Sequence, residues 1–316
     1  MKIWLLIILI STCRWLYAEE LNCIIEPNTP SIRYLGVGAF DIHYQGRRII
    51  TDPFYSPQSL TDLITFTPYT SNPMQIKKVL GDTSNTIDGV LVGHGHYDHA
   101  ADIPAINKYL NQNTNIFASK STEYIFNSFS NQYNVTGLKE GMFNQWYYIA
   151  NGFIRIKGFP SEHAPQSLGI NLFAKNHDHA LDTPPKYIWD WSQGVNITWL
   201  VDFLKTPNTE SVKERVFIQT SASGFPIGLP DISDQIPVDK VFLAAASFDH
   251  VDNYPTGIIK SLTPKKIYLI HWEDIFKPWF ESPTTLSLID FDKLMSNEVL
   301  ANQANISQIA QPNHCY

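Results

Sequence analysis

Cationic residues are few and scattered: 23 Lys and Arg face 30 Asp and Glu over 316 residues, and no stretch gathers them into a block. Nucleic-acid affinity comes largely from clustered Lys and Arg neutralising phosphates, so no nucleic-acid partner is expected. Cysteine is rarer still. The chain has three, at positions 13, 23 and 315, and none stands in the short paired spacing of a thiolate metal site. An apolar run long enough to span a bilayer is also missing, since the longest, at 3–10, falls well short of the roughly 20 residues a transmembrane helix needs. Low-complexity tracts and charge runs are absent, which argues against disorder, and 44% apolar with 13% aromatic residues is enough for a large core.

The short apolar run follows Lys2 and precedes Tyr17-Ala18 and Glu19-Glu20. It reads as a secretory signal over 1–18, leaving 19–316 as one domain with no stable membrane span, secreted or periplasmic. An uncleaved anchor is the alternative. Cys13 is a poor lipidation site because Thr12 precedes it and Arg14-Trp15 follow. Removal of the signal leaves Cys23 and Cys315, which can pair in an oxidising compartment or remain two separate thiols. Sequons stand at Asn134, Asn196 and Asn305.

The densest chemistry lies at His94-Gly95-His96-Tyr97-Asp98-His99, directly after the apolar residues Val90-Leu91-Val92. Neutral imidazole and carboxylate are the nitrogen and oxygen ligands of zinc and its first-row neighbours. A strand that breaks into a Gly-containing loop lets such side chains converge, His94 with His96 at one point and Asp98 with His99 at a second. The same ligands suit zinc, iron and manganese, so the pattern fixes a metal site without fixing the metal.

This spacing resembles the signature of the metallo-β-lactamase fold superfamily, and further segments follow in that family's order. Tyr34 to Tyr44, then Arg47 to Asp52-Pro53-Phe54, look like the opening hairpin whose second strand ends in an Asp beside the metals. Phe159-Pro160-Ser161-Glu162-His163 looks like the segment that delivers the next His, and Lys266 to Ile270 followed by His271-Trp272-Glu273-Asp274 looks like the one that delivers the last. The resemblance implies a four-layer α/β/β/α sandwich with His94, His96 and His163 at a first metal and Asp98, His99 and His271 at a second. It implies a zinc-dependent hydrolase, with one or two ions, that turns water into hydroxide against an ester, phosphodiester, lactone or amide bond of a small-molecule or lipid substrate. Asp98 is then catalytic, orienting the nucleophile or holding the second ion. The extended opening hairpin and the His-Trp-Glu-Asp ending look nearest the branch of ascorbate-phosphate lactonases and the phospholipase D acting on N-acyl phosphatidylethanolamines.

The chain departs from the family at one point: Ser221 stands where binuclear members carry a metal-bridging Asp. A hydroxyl is a weaker ligand, so either the second metal is held loosely, with Ser221 a weak ligand, or another acid such as Asp202 or Asp249 substitutes. The change also motivates the alternatives of a non-catalytic metal- or ligand-binding module, or an iron-dependent redox enzyme of the same fold. Asp52 is expected to accept a ring N–H from a ligand His, and Asp41 is not.

Period and turn signals place a hairpin at 37–51, strands at 87–92, 114–118, 146–149, 153–159, 168–174, 195–201, 216–220, 241–245 and 266–270, and helices at 102–110, 121–129, 255–262 and 284–305. Asp102 and Ser121 are the expected acidic start and cap of their helices. Residues 53–80, rich in Pro, Ser and Thr, form an irregular excursion over the active-site face. Near the mouth lie Phe54, Tyr55, Tyr97, Phe248, Trp272, Phe276, Trp279 and Phe280, as pocket lining or as core. His177 and His179 read as surface loop residues, and His250 as a substrate contact or a surface position.

Overall fold

The computed structural model describes residues 23, 25–82, 86–130, 133–166, 170–231, 233–277, 283–287, 289–303 and 305–316; the signal segment, Cys13, Trp279 and Phe280 lie outside them. A first sheet takes its strands in chain order, β1 (Ser31–Gly36), β2 (Ala39–Tyr44), β3 (Arg47–Thr51), β4 (Ile87–Leu91), β5 (Leu110–Ser119) and β6 (Val135–Leu138). The first three run antiparallel through tight turns, and β3 to β6 are parallel. Between the parallel strands come α1 (Leu60–Ile64), α2 (Pro73–Leu80), the single turn α3 (Tyr97–Ala100) and α4 (Lys120–Phe126). The second sheet has β7 (Tyr147–Ile149), β8 (Ile154–Ser161), β9 (Asn196–Leu204) and β10 (Val212–Gln219) antiparallel, then β11 (Lys240–Ala244), β12 (Lys266–Ile270) and β13 (Ser307–Ile309) parallel. Around the last three lie α5 (Thr256–Leu262), α6 (Phe291–Met295) and α7 (Glu298–Asn302).

Alternation along the strands decides which layer each side chain enters. In β9, Ile197, Trp199, Val201 and Phe203 pack against Ile32, Phe40 and Ile42 of the first sheet, whereas Leu200 faces away toward Ile258 and Leu262 of α5. The outer face of the first sheet buries Val90 and Ile116 with Ile76 of α2 and Ile125 of α4. Three apolar layers between two sheets and two sets of helices give the expected α/β/β/α sandwich. Each fully buried Leu, Ile or Phe contributes about 1.5–3 kcal/mol to holding those layers together.

The chain's last residues bind the first sheet. The amides of Asn313 and Tyr316 donate to the carbonyls of Tyr34 and Ile32, and Cys315 forms a disulfide with Cys23, their Cα atoms 5.8 Å apart. The open edge of β1 is thereby covered.

Several local expectations change. Of the strand expected at 168–174, residues 168–169 lie outside the described residues, and 170–174 make only an isolated bridge at Ile170 and a turn, with the Phe173 carbonyl accepting from the Gln193 amide at 3.0 Å. Residues 102–110 form turns and one short 3₁₀ turn at Asn107–Tyr109 before β5 starts at Leu110. The Asp102 carboxylate does not cap a helix; it is buried and accepts from the Tyr55 amide at 2.6 Å and the Tyr69 hydroxyl at 2.9 Å, pinning the 53–80 excursion. Ser119 replaces Ser121 as the cap of α4, accepting from the Thr122 amide at 3.2 Å. Among the described residues of 284–305, only α6 and α7 are helical. Asn196 is buried, and its amide donates to the Glu162 carbonyl at 3.1 Å, so this sequon braces the end of β8 and is closed to glycosylation in the folded chain. Among the described residues no helix is long and apolar enough to cross a membrane.

Candidate metal centre

The centre forms where three strands stop. After β4 the chain passes Gly93 to His94, turns at Gly95, and reaches His96, Tyr97, Asp98 and His99 as α3 begins. Gly95 is required there, because a Cβ would lie 2.4 Å from the Ser192 carbonyl oxygen. β8 ends just before His163, and β12 delivers His271. His271 holds a left-handed backbone (φ 53°), as does Asp52 (φ 35°) at the end of β3, conformations non-Gly residues adopt only when their surroundings enforce them. For His271 that enforcement is visible: its amide donates to the Tyr34 hydroxyl at 2.9 Å, which in turn donates to the buried Glu273 carboxylate at 2.8 Å.

The six expected ligands come together in two groups, His94 with His96 and His163, and Asp98 with His99 and His271, the donor atoms of each group all within 4.8 Å of one another. His94 Nε2 and His96 Nδ1 lie 3.0 Å apart, and the Asp98 carboxylate lies 3.6 Å from Nε2 of both His99 and His271. Ligands on a tetrahedral ion with bonds of about 2.0–2.1 Å stand roughly 3.4 Å apart, so the spacing fits a first-row cation. The outer contacts select which nitrogen faces inward. His96 Nε2 lies 3.2 Å from the Leu172 carbonyl and His163 Nδ1 2.6 Å from the Ala164 carbonyl, which leaves His96 Nδ1 and His163 Nε2 for the centre. His99 Nδ1 lies 2.8 Å from the Asp52 carboxylate, and its Nε2 is buried without a hydrogen-bond partner. The Gly93 amide and the Thr220 side chain hold the other face of Asp52.

Burial sets the electrostatics. It pushes the His96 imidazole down to about 3 and those of His163 and His271 to about 4, and it also lowers His94 and His99, with neighbouring imidazoles adding to the fall. Burial pushes the Asp98 carboxyl up to about 7. At neutral pH the imidazoles therefore present lone pairs, and a buried histidine nitrogen without a partner is costly unless something binds it. A cation satisfies both conditions, so the donor set fits the metal that the spacing implies.

The other expected residues separate clearly. Ser221, just past β10, lines the same cavity as His96, Asp98, His163 and His271, the position a weak ligand would take. Asp202 does not substitute for it: this buried carboxylate lies between Arg155 and Arg215, at 2.8 and 2.6 Å. Asp249 does not either, being tied to Lys293 at 2.7 Å. Both have stronger positive partners elsewhere. Asp41 pairs with Arg33, His43 and Arg48, away from the centre. His177 bonds Ser192 at 2.6 Å and His179 is exposed beside Asp178. His250 is exposed, with Nδ1 3.0 Å from the Pro165 carbonyl, and does not line the cavity.

Over the centre lies a cavity of about 290 Å³. Of the expected mouth aromatics, Tyr97 and Phe276 line it, whereas Phe54, Tyr55, Phe248 and Trp272 are packed in the core. Further wall residues include Leu172, Phe173, Ile188 and Trp191, which the sequence reading missed; their one signal was the aromatic run Tyr187-Ile188-Trp189-Asp190-Trp191, with no strand register to orient it.

A profile of the beta-lactamase superfamily domain matches residues 31–218, more than half of the chain. The chain belongs to the metallo-β-lactamase fold superfamily. A curated member, a UPF0173 metal-dependent hydrolase of Metallosphaera sedula, is 33% identical over 99 residues, and that stretch spans 31% of this chain and 36% of that protein. Solved structures superimpose along nearly the whole chain. A possible metal-dependent hydrolase from Veillonella parvula aligns with TM-score 0.57 at 11% identity, covering 92% of this chain and 99% of that one. An isothiocyanate hydrolase from Delia radicum gut bacteria gives 0.54 at 14%, covering 90% and 98%. CmlA, a diiron beta-hydroxylase from Streptomyces venezuelae, gives 0.51 at 14%, covering 92% of this chain and 54% of that one.

Proposed function

We propose that this chain is a zinc-dependent hydrolase, secreted or periplasmic, acting on an ester, lactone, amide or phosphodiester bond. The observation that carries the reading is the convergence of two three-donor groups, with His96, Asp98, His163 and His271 opening onto one cavity. A divalent cation held there supplies Lewis acidity and lowers the pKa of water toward neutrality. The chain's own residues do the rest. The carbonyls of Leu172 and Ala164 and the carboxylate of Asp52 fix three ring orientations. Asp98 places a carboxylate oxygen 3.6 Å from Nε2 of both His99 and His271, where it would hold a proton of the attacking water or a second cation. In the overall reaction the water oxygen bonds to the acyl carbon or phosphorus and the bond to the leaving group breaks. One proton ends on the leaving group and the other in solvent.

The metal-dependent hydrolase from Metallosphaera sedula and the isothiocyanate hydrolase support this class of reaction. The diiron neighbour supports the reading of an iron-dependent redox enzyme, which the same measurement tests. The Cys23–Cys315 disulfide supports an oxidising compartment, hence export. The test is elemental analysis of the full chain purified without added metal, beside esterase and phosphodiesterase assays of the chain and of His96→Ala. Zinc in the parent, with metal and turnover both lost in a His96→Ala protein of unchanged circular dichroism, is the expected result. Full activity in that variant overturns the assignment, and iron with no hydrolysis favours the redox reading.

A further inference from the structure

The chemistry of the cavity wall narrows the substrate, an inference that rests on the hydrolase reading. Among the described residues lining the cavity, none apart from the candidate ligands carries a charge: neither Lys nor Arg is there. The adjoining stretches 167–169 and 278–282 contain no Lys or Arg either. Lys277, which directly follows the wall residue Phe276, is ion-paired with Asp274 at 3.0 Å. The wall is built from Tyr97, Leu172, Phe173, Ile188, Trp191 and Phe276. Its hydrogen-bonding groups are few and neutral: Gln166, Ser221, Ser247 and the indole N–H of Trp191, which is buried with no protein partner.

An anionic group bound against such a wall loses its hydration and gains no countercharge, which disfavours it unless it lies directly on the cation. Apolar and aromatic groups, by contrast, gain from burial there. Size sets a second limit, because about 290 Å³ lies at the small end of the roughly 300–1,000 Å³ typical of ligand cavities. We infer that this site takes a compact, uncharged substrate whose reactive carbon carries a short apolar or single-ring substituent, and that it discriminates against substrates with an anionic substituent.

Two esters with the same leaving group test the charge preference on the metal-loaded chain: p-nitrophenyl butyrate, and mono-p-nitrophenyl succinate, which ends in a carboxylate where the other ends in a methyl. The expected kcat/KM ratio favours butyrate by about 30-fold or more, and Phe173→Arg, a change at a half-exposed wall position, narrows it by about tenfold. Equal rates on the two esters, faster turnover of bis-p-nitrophenyl phosphate than of butyrate, or a ratio unmoved by Phe173→Arg overturns the inference and leaves the hydrolase reading in place. Binding is read separately from turnover, by the melting-temperature shift of the metal-loaded chain with 4-phenyl-2-butanone and with 2-phenylethanesulfonate, an anion that coordinates metals feebly. Stabilisation by the ketone alone supports the inference even if no ester is turned over, in which case the hydrolase reading alone fails. Stabilisation by the sulfonate, or by neither compound, overturns it.

Discussion

At the centre, single atoms decide the outcome. The two donor groups share only one ionisable carboxylate, Asp98, so two divalent cations would leave most of their charge uncompensated at the site. Ser221 offers a hydroxyl where a second carboxylate would relieve that excess. Ser221→Asp is therefore expected to tighten binding of a second zinc by about tenfold or more, some 1.4 kcal/mol, read by calorimetric titration of the metal-free chain. An unchanged binding curve would show that residue 221 does not face the cations. Asp52→Asn tests the opposite side: it weakens the acceptor on His99 Nδ1 and should lower affinity at the Asp98, His99 and His271 group by about 10–100-fold while sparing the other. Equal loss at both groups would mean that Asp52 acts on the fold as a whole.

Among the elements, strand ends deliver the ligands, and a polar network locks three neighbouring strands of the second sheet together. Asp202 on β9 is fully buried and binds Arg215 on β10 and Arg155 on β8, and Arg215 also reaches Asp234 at 2.7 Å. Removing that carboxylate leaves two buried guanidinium groups short of countercharge. Asp202→Asn should cost about 3–5 kcal/mol, measured by urea denaturation, with metal content unchanged if the folded fraction is corrected for. Strands such as 195–201 were legible in the sequence, whereas the four-layer arrangement came from the family resemblance, because strand period alone does not tell one α/β fold from another. The cluster at 94–99 was legible too, since its donors are consecutive and follow an apolar strand. His163 and His271 were placed by family order, because nothing in a lone His names its distant partners. The cavity wall escaped for a physical reason. Residues 164–191 follow no period, and the contribution of Leu172 to His96 is a backbone carbonyl, which every residue possesses. The helix expected at 102–110 failed because Asp102 is claimed by Tyr55 and Tyr69 across the fold.

For the molecule as a whole, the covalent tie between Cys23 and Cys315 spans 292 positions of sequence. The chain-entropy model puts its stabilisation at no more than about 5–6 kcal/mol, so Cys315→Ser should lower the melting temperature and reductant should do the same to the parent protein alone. A variant that melts with the parent in oxidising buffer would show that the link is not formed in solution. The same tie governs how the protein bears load. A stretching force applied to the chain outside positions 23 and 315 runs through sulfur and never reaches the sheets, so a single-molecule pull from those points should lengthen the protein only after a reducing agent is added.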